Sequence, residues 1–596
     1  MRATSQLKSL FICILLALPC EINAQQQQFP AGNITITQIL NAPAHPYYNT
    51  ALTQHERHSL QSLYQLNLNQ LLWFNTDHPI NSINQLLALF SQAPTHGLNS
   101  SDYATELLTK HWHTLQQSTP SFYEFAVFDN ALSLSLLRYL HDLHYGRVDP
   151  QQLGFHLPYK KTSSFSRLIF NAVQTNSLNA LIADNEPKLI PYQQLKVALA
   201  KYRRLNQHFI KQPFFHFEQS LRPGDWSTQI NALEHYLDAF NTDLEHTIAP
   251  PQPQNNTYTE SMVRKIRHFQ TAHGLQSDGI IGKQTLAAIN TPISQRIAQI
   301  ELAMERLRWL PDEYQGSVIL VNIPAFQLWA YNSAEPQDKV LTMSVIVGKA
   351  KAKNEEPETE TILQTPVFAA KLNYLVFSPY WNIPKSILNK EILPLLEKNP
   401  DYLERNNMEI VARFAHNATV HPANAENIAR LYTDELKLRQ RPSARNALGR
   451  LKFIFPNNYK VYLHDTPARR LFNRTKRDFS HGCVRVANPQ ALAQFVLDNQ
   501  PEWDGKTIKE AMRADAPIIA SVNKKIPVLI FYTTALVNKM GLSFYPDIYG
   551  HDPALQAALS MRSQNLAKAV LLPTTDTTSI NMHKVGTSVK PDTATR

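Results

Sequence analysis

Ser480-His481-Gly482-Cys483-Val484-Arg485-Val486 is the stretch that organises this chain of 596 residues, and Leu463-His464-Asp465 lies a loop's length upstream of it. A thiol beside a glycine, with an imidazole brought near it by chain reversal, is the minimum equipment for covalent acyl transfer. The two stretches therefore predict a cysteine enzyme.

The residues around His464 alternate in polarity, which predicts a strand. Apolar Leu463 stands between Tyr462 and His464, so His464 should project onto the face opposite Leu463. From that neighbouring strand it can approach the thiol freely, whereas His481 is held in the same turn as Cys483, two residues away. We therefore favour His464 over His481 as the general base.

The cysteine needs help to become a nucleophile, because a free thiol is mostly protonated at neutral pH. The loop from Asp465 to Phe479 carries five cationic side chains against two acids, and this positive potential favours the thiolate. Gly482 allows a tight turn with its amide exposed. The backbone amides of Gly482 and Cys483 are therefore expected to form an oxyanion hole.

Five further side chains are candidates for substrate binding. Arg485 could pair with a substrate carboxylate, a bidentate task that suits a guanidinium, and a structural ion pair is an equal alternative. Trp381 could wall the substrate groove, with core packing as its competitor. The other three candidates are Ser480, His481 and Tyr462. Ser480 and His481 lie just before the thiol in sequence, and Tyr462 lies two residues before His464 on the neighbouring predicted strand.

The N-terminus reads as an export signal. Arg2 and Lys8 precede an apolar run from Leu10 to Leu18, too short to span a bilayer, and no later stretch approaches the roughly 20 apolar residues of a transmembrane helix. Residues 1–24 are thus predicted to be a signal peptide, cleaved or retained. Two of the three cysteines lie within it, which leaves Cys483 as the lone thiol of the mature chain. The formal charge of +10 favours anionic surfaces, but the chain lacks a Lys/Arg-rich run, so nucleic acid is not expected as a partner.

A small domain is predicted at residues 218–292, where three glycines at turn positions separate short amphipathic helices and make a sharply folded unit. Its motif consists of Phe269-Gln270, Gly274-Leu275, Asp278-Gly279, Gly282 and Thr285. On these residues, the stretch from about 221 to 290 resembles a peptidoglycan-binding repeat. A plain linker domain is the alternative interpretation.

The thiol-bearing region resembles the L,D-transpeptidase (YkuD-type) catalytic domain. The resemblance rests on His464, fifteen intervening residues, Ser480 to Val486 and Asn488, extended by Asn446-Ala447-Leu448-Gly449-Arg450 and by Val461 to Pro467. It implies that Cys483 attacks the carbonyl of the third residue of a stem tetrapeptide and expels the terminal D-alanine, while a backbone carbonyl orients the His464 ring. It also implies acylation by carbapenems. No metal and no cofactor is expected.

Together these observations predict an α+β multi-domain protein of the large periplasmic branch of that family. The predicted order is a signal peptide at 1–24, a flexible leader at 25–45, a helical scaffold domain at 46–217, the peptidoglycan-binding domain at 218–292, a connecting helix at 293–316, a β-rich catalytic domain at 317–552 with an inserted helical lid at about 385–441, and a disordered tail at 565–596.

The expected function is that of a periplasmic, cell-wall-associated transpeptidase of peptidoglycan that makes 3-3 cross-links, with cell-wall synthesis proteins as possible partners. Two alternatives stay open from the sequence. Water could replace the acceptor amine, which would give an L,D-carboxypeptidase or endopeptidase. The helical half and the repeat could instead carry the function as a non-catalytic wall-binding scaffold.

Overall fold

The computed structural model describes residues 32–48, 50–74, 79–158, 160, 163–241, 256–311, 316–332, 340–351, 363–399, 401–538 and 541–569. Several predicted segments lie outside these residues. They are the signal peptide, the first part of the leader, the proline-containing connection at 245–255, most of the charged insertion at 349–364, and the tail from 570 onward.

The first unit is a bundle of helices around one central helix. Its helices are α1 (Gly32–Asn41), α2 (Gln54–Leu66), α3 (Pro79–Ser91), α4 (Thr105–Gln117), α5 (Phe122–Tyr145), α6 (Phe165–Gln174) and α7 (Leu178–Asn185). The sequence predicts one apolar helix face from Leu132, Leu136, Leu140 and Leu143, which are spaced by four, four and three residues. All four lie on α5 and are fully buried, which confirms that face. Helices α2 and α5 each begin with a capping box, which satisfies the first backbone amides of the helix.

The predicted flexible leader is wrong over α1. Residues Gly32–Asn41 form a helix, and Ile36, Ile39 and Leu40 are buried against the bundle. Their spacing of three and one places them on one face of a helix, so burial of that face compensates for the entropy of ordering the segment. The prediction of a flexible leader rests on the run of glutamines at residues 25–28, and it misses this short amphipathic stretch.

A second group of helices joins the bundle to the rest of the molecule. It comprises α8 (Ile190–His208), α9 (Ile230–Asn241), α10 (Glu260–Ala272), α11 (Lys283–Ile289) and α12 (Ile293–Arg308). Helix α8 packs along α12. Gln270 of α10 is buried and fixes the turn that follows: its side-chain amide donates to Asp278, Ile280 and Thr285, and its side-chain oxygen accepts from the Gly279 amide. This network explains why the repeat motif needs those residue types.

The strands of the described residues are, in chain order, β1 (Ser317–Asn322), β2 (Gln327–Asn332), β3 (Leu341–Gly348), β4 (Phe368–Phe377), β5 (Trp381–Asn382), β6 (Met408–Val411), β7 (Val420–His421), β8 (Lys437–Gln440), β9 (Leu451–Ile454), β10 (Leu463–His464), β11 (Asp478–Ser480), β12 (Val484–Val486), β13 (Ile518–Phe531), β14 (Ala535–Asn538) and β15 (Gly541–Phe544). The main sheet has the order β11-β3-β12-β10-β9-β4-β13-β1-β2, and it closes on itself because β2 also pairs with β3. Apolar and alternating stretches of the sequence predict strands at 318–323, 341–347, 449–455 and 526–533. The structure has a strand at each of these places, with shifts at the ends.

The inserted subdomain has its own apolar core and a sheet of four short strands in the order β5-β8-β6-β7. Its helices are α13 (Lys385–Ile387), α14 (Leu393–Lys398), α15 (Tyr402–Arg405) and α16 (Ala425–Tyr432), with a π-helical turn at Leu388–Ile392. The prediction of a helical lid is therefore only partly correct. The strands are two to four residues long, too short for an alternating pattern to show in the sequence.

Three helices complete the described chain: α17 (Pro489–Leu497), α18 (Gly505–Ala511) and α19 (His551–Ala569). The pair Asn488-Pro489 is typical of a helix start, and Asn488 does cap α17 by accepting from the Ala491 amide, with Pro489 at the first helical position. Helix α19 continues to Ala569, so the predicted disordered tail does not begin at 565. Leu555 and Leu559 of α19 are buried, and that packing extends the helix. Within the described ranges, none of the helices is both long and apolar enough to cross a membrane.

Candidate active site

Cys483 lies directly before β12, next to strand β10. The Val484 amide donates to the carbonyl of Tyr462 at 3.1 Å, which aligns the two segments side by side. The half-buried thiol forms a hydrogen bond with the Tyr462 side chain and lies 3.9 Å from the Lys460 carbonyl oxygen. Burial raises the pKa of the Cys483 thiol, although Tyr462, Lys452 and Arg485 all act in the opposite direction.

His464 is buried on β10, and its ring is oriented by the backbone. Its Nδ1 lies 2.5 Å from the carbonyl oxygen of Asp465. A carbonyl can only accept a hydrogen bond, so Nδ1 carries the proton and Nε2 is left as the acceptor. Burial, reinforced by the charge of Arg485, lowers the pKa of His464 to about 3, so the ring is neutral at physiological pH.

The register of three strands places the polar side chains on one face. His464 is opposite Lys452 of β9 on one side and opposite Arg485 of β12 on the other. Cys483 precedes Arg485 by two residues and Tyr462 precedes His464 by two residues, so alternation puts all four side chains on that same face. The structure therefore brings the predicted residues Cys483, His464, Tyr462 and Arg485 together.

Arg485 lies in this row without a carboxylate partner among the residues that the structure describes. Its Nε is buried and has no hydrogen-bond partner among the described residues. Burial also lowers the pKa of the guanidinium. A buried donor with no acceptor is costly. The structural ion pair considered for Arg485 from the sequence is absent within the described part of the chain.

The turn before Cys483 is fixed by its own hydrogen bonds. Gly482 has a φ of 106°, which a residue with a Cβ rarely adopts. Its amide donates to Ser480 Oγ at 3.2 Å, and Ser480 Oγ donates to the Cys483 carbonyl. Two predictions need correction here. The Gly482 amide is engaged within the turn rather than free for an oxyanion, and buried Ser480 supports the turn rather than facing a substrate.

A second set of residues, which the sequence did not predict, supports the turn before Cys483 through hydrogen bonds. Thr365 Oγ1 accepts from the Gly348 amide and donates to the Gly482 carbonyl, both at 2.8 Å. Tyr549 donates to the Gly348 carbonyl at 2.6 Å. A Cβ on Gly348 would lie 2.0 Å from the Leu363 carbonyl oxygen, so only glycine allows this close approach. No local pattern signals these long-range contacts.

Asp465 contacts Arg450 of the 446–450 motif through its side chain and His464 through its backbone carbonyl. Its buried carboxylate accepts from the Arg450 amide and from Arg469, both at 2.8 Å. Gly449, at φ 62°, passes so close that a Cβ there would lie 2.4 Å from the carboxylate. These contacts fix the residue whose carbonyl orients the His464 ring.

His481 and Trp381 both contact residues of the lid. His481 Nε2 lies 2.6 Å from Glu391 in the π-helical turn of the lid, and both side chains are about half exposed. Trp381 pairs through its backbone with Gln440 and packs on the core of the lid. The proposed groove wall at Trp381 is therefore a lid-packing residue in this structure, and His481 is a lid contact.

Comparison with known protein families gives three matches along this chain. Residues 316–518 match the family described as "L,D-transpeptidase catalytic domain", residues 227–289 match "Putative peptidoglycan binding domain", and residues 58–199 match "Scaffold domain". A curated relative from Haemophilus influenzae, named "Putative L,D-transpeptidase", is 31% identical over 318 residues, which are 52% of this chain and 60% of that protein. The chain thus spans less than two thirds of the relative that it matches.

The fold and the site define a multi-domain α+β protein with a thiol and an imidazole on one face of a closed sheet. More particularly, the chain contains a YkuD-type L,D-transpeptidase catalytic domain together with a peptidoglycan-binding domain.

Proposed function

We propose that the protein is a peptidoglycan L,D-transpeptidase that uses Cys483 as its nucleophile. One observation carries the proposal: within the matched catalytic domain, the thiol contacts Tyr462, and the neighbouring strand presents His464 in the tautomer whose Nε2 can accept a proton. The proposal includes the predicted signal peptide at 1–24 and a periplasmic location. It also includes the predicted domain boundaries, apart from the leader and the start of the tail, which are corrected above.

In the acylation step, the thiol proton passes to Nε2 of His464 as sulfur attacks the carbonyl carbon of the third stem residue. The tetrahedral intermediate then collapses. Its C–N bond to D-alanine breaks, His464 returns the proton to the leaving amine, and a thioester to Cys483 remains. Both groups are neutral at rest, because burial raises the pKa of the thiol and lowers that of the imidazole, so proton transfer accompanies attack rather than preceding it.

The oxyanion requires donors other than Gly482, whose amide is engaged by Ser480. Burial and the neighbouring Cys483 raise the pKa of Tyr462, so its hydroxyl stays protonated. The same hydroxyl is hydrogen-bonded to the Cys483 sulfur. We assign the oxyanion to this hydroxyl together with the Cys483 amide. This replaces the pair of backbone amides expected from the sequence.

Arg485 is the proposed anchor for a carboxylate of the donor stem. Its buried Nε has no hydrogen-bond partner in the described chain, and a carboxylate would supply one with favourable charge. In the second half-reaction an amine of an acceptor stem attacks the thioester and gives its proton to His464, the C–S bond breaks, and His464 returns that proton to the sulfur of Cys483. The product is a 3-3 cross-link.

The experiment compares the wild-type protein with Cys483→Ala on tetrapeptide muropeptides, with products followed by mass spectrometry. We expect cross-linked dimers and released D-alanine from the wild type only. Unchanged dimer formation by Cys483→Ala would contradict the mechanism. D-alanine release without dimers would instead assign the protein to the L,D-carboxypeptidases. Acylation of Cys483 by a carbapenem, seen as added mass on its peptide, tests the thiol independently of any acceptor.

A further inference from the structure

Lys452 is a cation in the site that the sequence did not single out. It lies on β9 directly opposite His464, on the face that also carries Tyr462 and Arg485. Its Nζ sits over the Tyr462 ring, 4.4 Å from the ring centroid. That ring belongs to the residue whose side chain is hydrogen-bonded to the thiol. The order in space is therefore lysine, tyrosine, cysteine.

The charge of Lys452 has no acidic counterpart among the residues that the structure describes. Among the described residues, none of the ion pairs involves Lys452, although other lysines such as Lys196 and Lys265 are paired with carboxylates. Burial lowers the pKa of its ammonium group, and the charge that opposes this effect is that of Cys483. A partly buried ammonium without an acid is expensive unless a negative charge forms beside it.

The Cys483 thiolate is the anion that would form in this place. A nearby cation stabilises a thiolate, and the same cation disfavours protonation of a neighbouring imidazole. Lys452 acts in both senses here, because it works against the raised pKa of Cys483 and adds to the lowering of the pKa of His464. It thereby stabilises the negative charge that develops on sulfur as the thiol proton passes to His464, and it favours the return of that proton from His464 to the leaving amine.

We propose that Lys452 is a positioning residue whose charge, held on the Tyr462 ring, stabilises the Cys483 thiolate. The proposal rests on the proposed function only in taking Cys483 as the nucleophile. It assigns to β9 a role beyond that of a structural strand. It also explains why the ammonium is placed over an aromatic face, which binds the cation without neutralising it.

The test measures the thiol itself rather than turnover. The full chain is alkylated with iodoacetamide between pH 5 and 10, and the rate is read on the Cys483 peptide by mass spectrometry, so that Cys13 and Cys20 do not interfere. Variants are Lys452→Met, Lys452→Gln and Lys452→Arg. Lys506→Met is the matched control, because Lys506 is 83% exposed and lies on α18, outside the strands that carry the site.

Removal of the charge should raise the apparent pKa of the thiol by about one unit, which lowers the alkylation rate at pH 7 about tenfold. Lys452→Arg should restore the wild-type profile, and Lys506→Met should leave it unchanged. A thiol profile that stays the same in both Lys452→Met and Lys452→Gln overturns the proposal, even if the two variants are less stable to heat. Muropeptide turnover is measured in parallel. A wild-type protein without turnover would contradict the proposed function while leaving the thiol titration interpretable.

Discussion

At the scale of single residues, the site depends on how backbone groups orient His464. The carbonyl of Asp465 fixes the tautomer, and the Asp465 carboxylate is itself held by Arg450 and Arg469. The second histidine, His481, is turned to Glu391 of the lid. The two imidazoles therefore differ in what they can do, although both are close to Cys483 in the sequence or the fold.

Replacement of the two histidines separately should distinguish the base. His464→Ala removes the proton acceptor and should lower D-alanine release by about 10²-fold or more, the usual worth of a positioned base. His481→Ala should change the rate by less than about fivefold, because it removes only an exposed contact. Near-normal release by His464→Ala would refute the assignment.

Gly449 offers a test of the support behind His464. An alanine there combines the strain of a φ of 62° with a Cβ placed 2.4 Å from the Asp465 carboxylate. Gly154 is the matched control, since it has a φ of 75° but nothing within 4 Å of an added Cβ. Gly154→Ala should cost about 1 kcal/mol of unfolding free energy by strain alone. Gly449→Ala should cost more and should also slow D-alanine release. Equal effects of the two substitutions on turnover would show that Asp465 does not position the base.

The sequence could predict part of this site for physical reasons. Spacing and alternation placed Cys483 and His464 near each other and put His464 on a polar face. Lys452 and Thr365 escaped because their roles depend on strand register and on a long-range contact, neither of which has a local pattern. The Gly482 amide was misassigned because a turn with φ above zero does not by itself show which acceptor the amide reaches.

At the scale of elements, the same limit separates the main sheet from the lid. Strands such as Leu341–Gly348 are long enough to show alternation, and the sequence predicts them correctly. The lid strands are too short to do so, and its fold depends on a small core of side chains that include Ile392, Leu396, Ile410 and Leu438. Asn446 fixes the exit of the lid by donating to carbonyl groups at Pro379, Gln440 and Arg441.

Among the described residues, the lid contacts the turn of Cys483 where Glu391 lies 2.6 Å from His481 Nε2. Glu391→Gln keeps the shape of the side chain and removes its charge. Such exposed pairs are worth about 0–1 kcal/mol, so we expect lid opening to rise by up to about fivefold. Faster hydrogen exchange in 385–398, together with faster alkylation of Cys483 at high pH, would report it. Glu404→Gln, an exposed lid substitution, serves as the control. If the two variants behave alike, the pair does not hold the lid.

At the scale of the whole molecule, α19 attaches the catalytic region to the first helical unit. Arg562 of α19 binds Asp142 through both carboxylate oxygens, at 2.7 and 2.8 Å, and contacts Asp102 at 3.2 Å. At its other end, Asp552 pairs with Arg306 of α12 and accepts from Thr534. A helix predicted to fade into a tail thus connects three parts of the fold. The sequence could not show this, because the two acids lie more than four hundred residues before their partner.

Arg562 gives the last prediction, in which pH decides the size of the effect. Burial by itself would raise the pKa of Asp142, but Arg562 and other partners reverse this and hold it below its ordinary value. A depressed pKa contributes stability that is present above the unfolded-state pKa, about 3.9, and is lost as the pH falls through the folded-state pKa. Arg562→Met leaves two buried acids without their guanidinium and should cost about 3 kcal/mol at pH 7.

In that variant Arg562 no longer opposes the effect of burial, so the pKa values of Asp102 and Asp142 should rise and both acids should take up protons as the pH falls. The stability difference from wild type should therefore shrink between pH 7 and about pH 4.5, which urea unfolding followed by tryptophan fluorescence can measure at each pH. Arg562→Lys keeps the charge but loses the bidentate geometry, and it should fall between the two. A loss that is the same at both pH values would mean that α19 is held by its apolar face, through Leu555 and Leu559, rather than by this charge cluster.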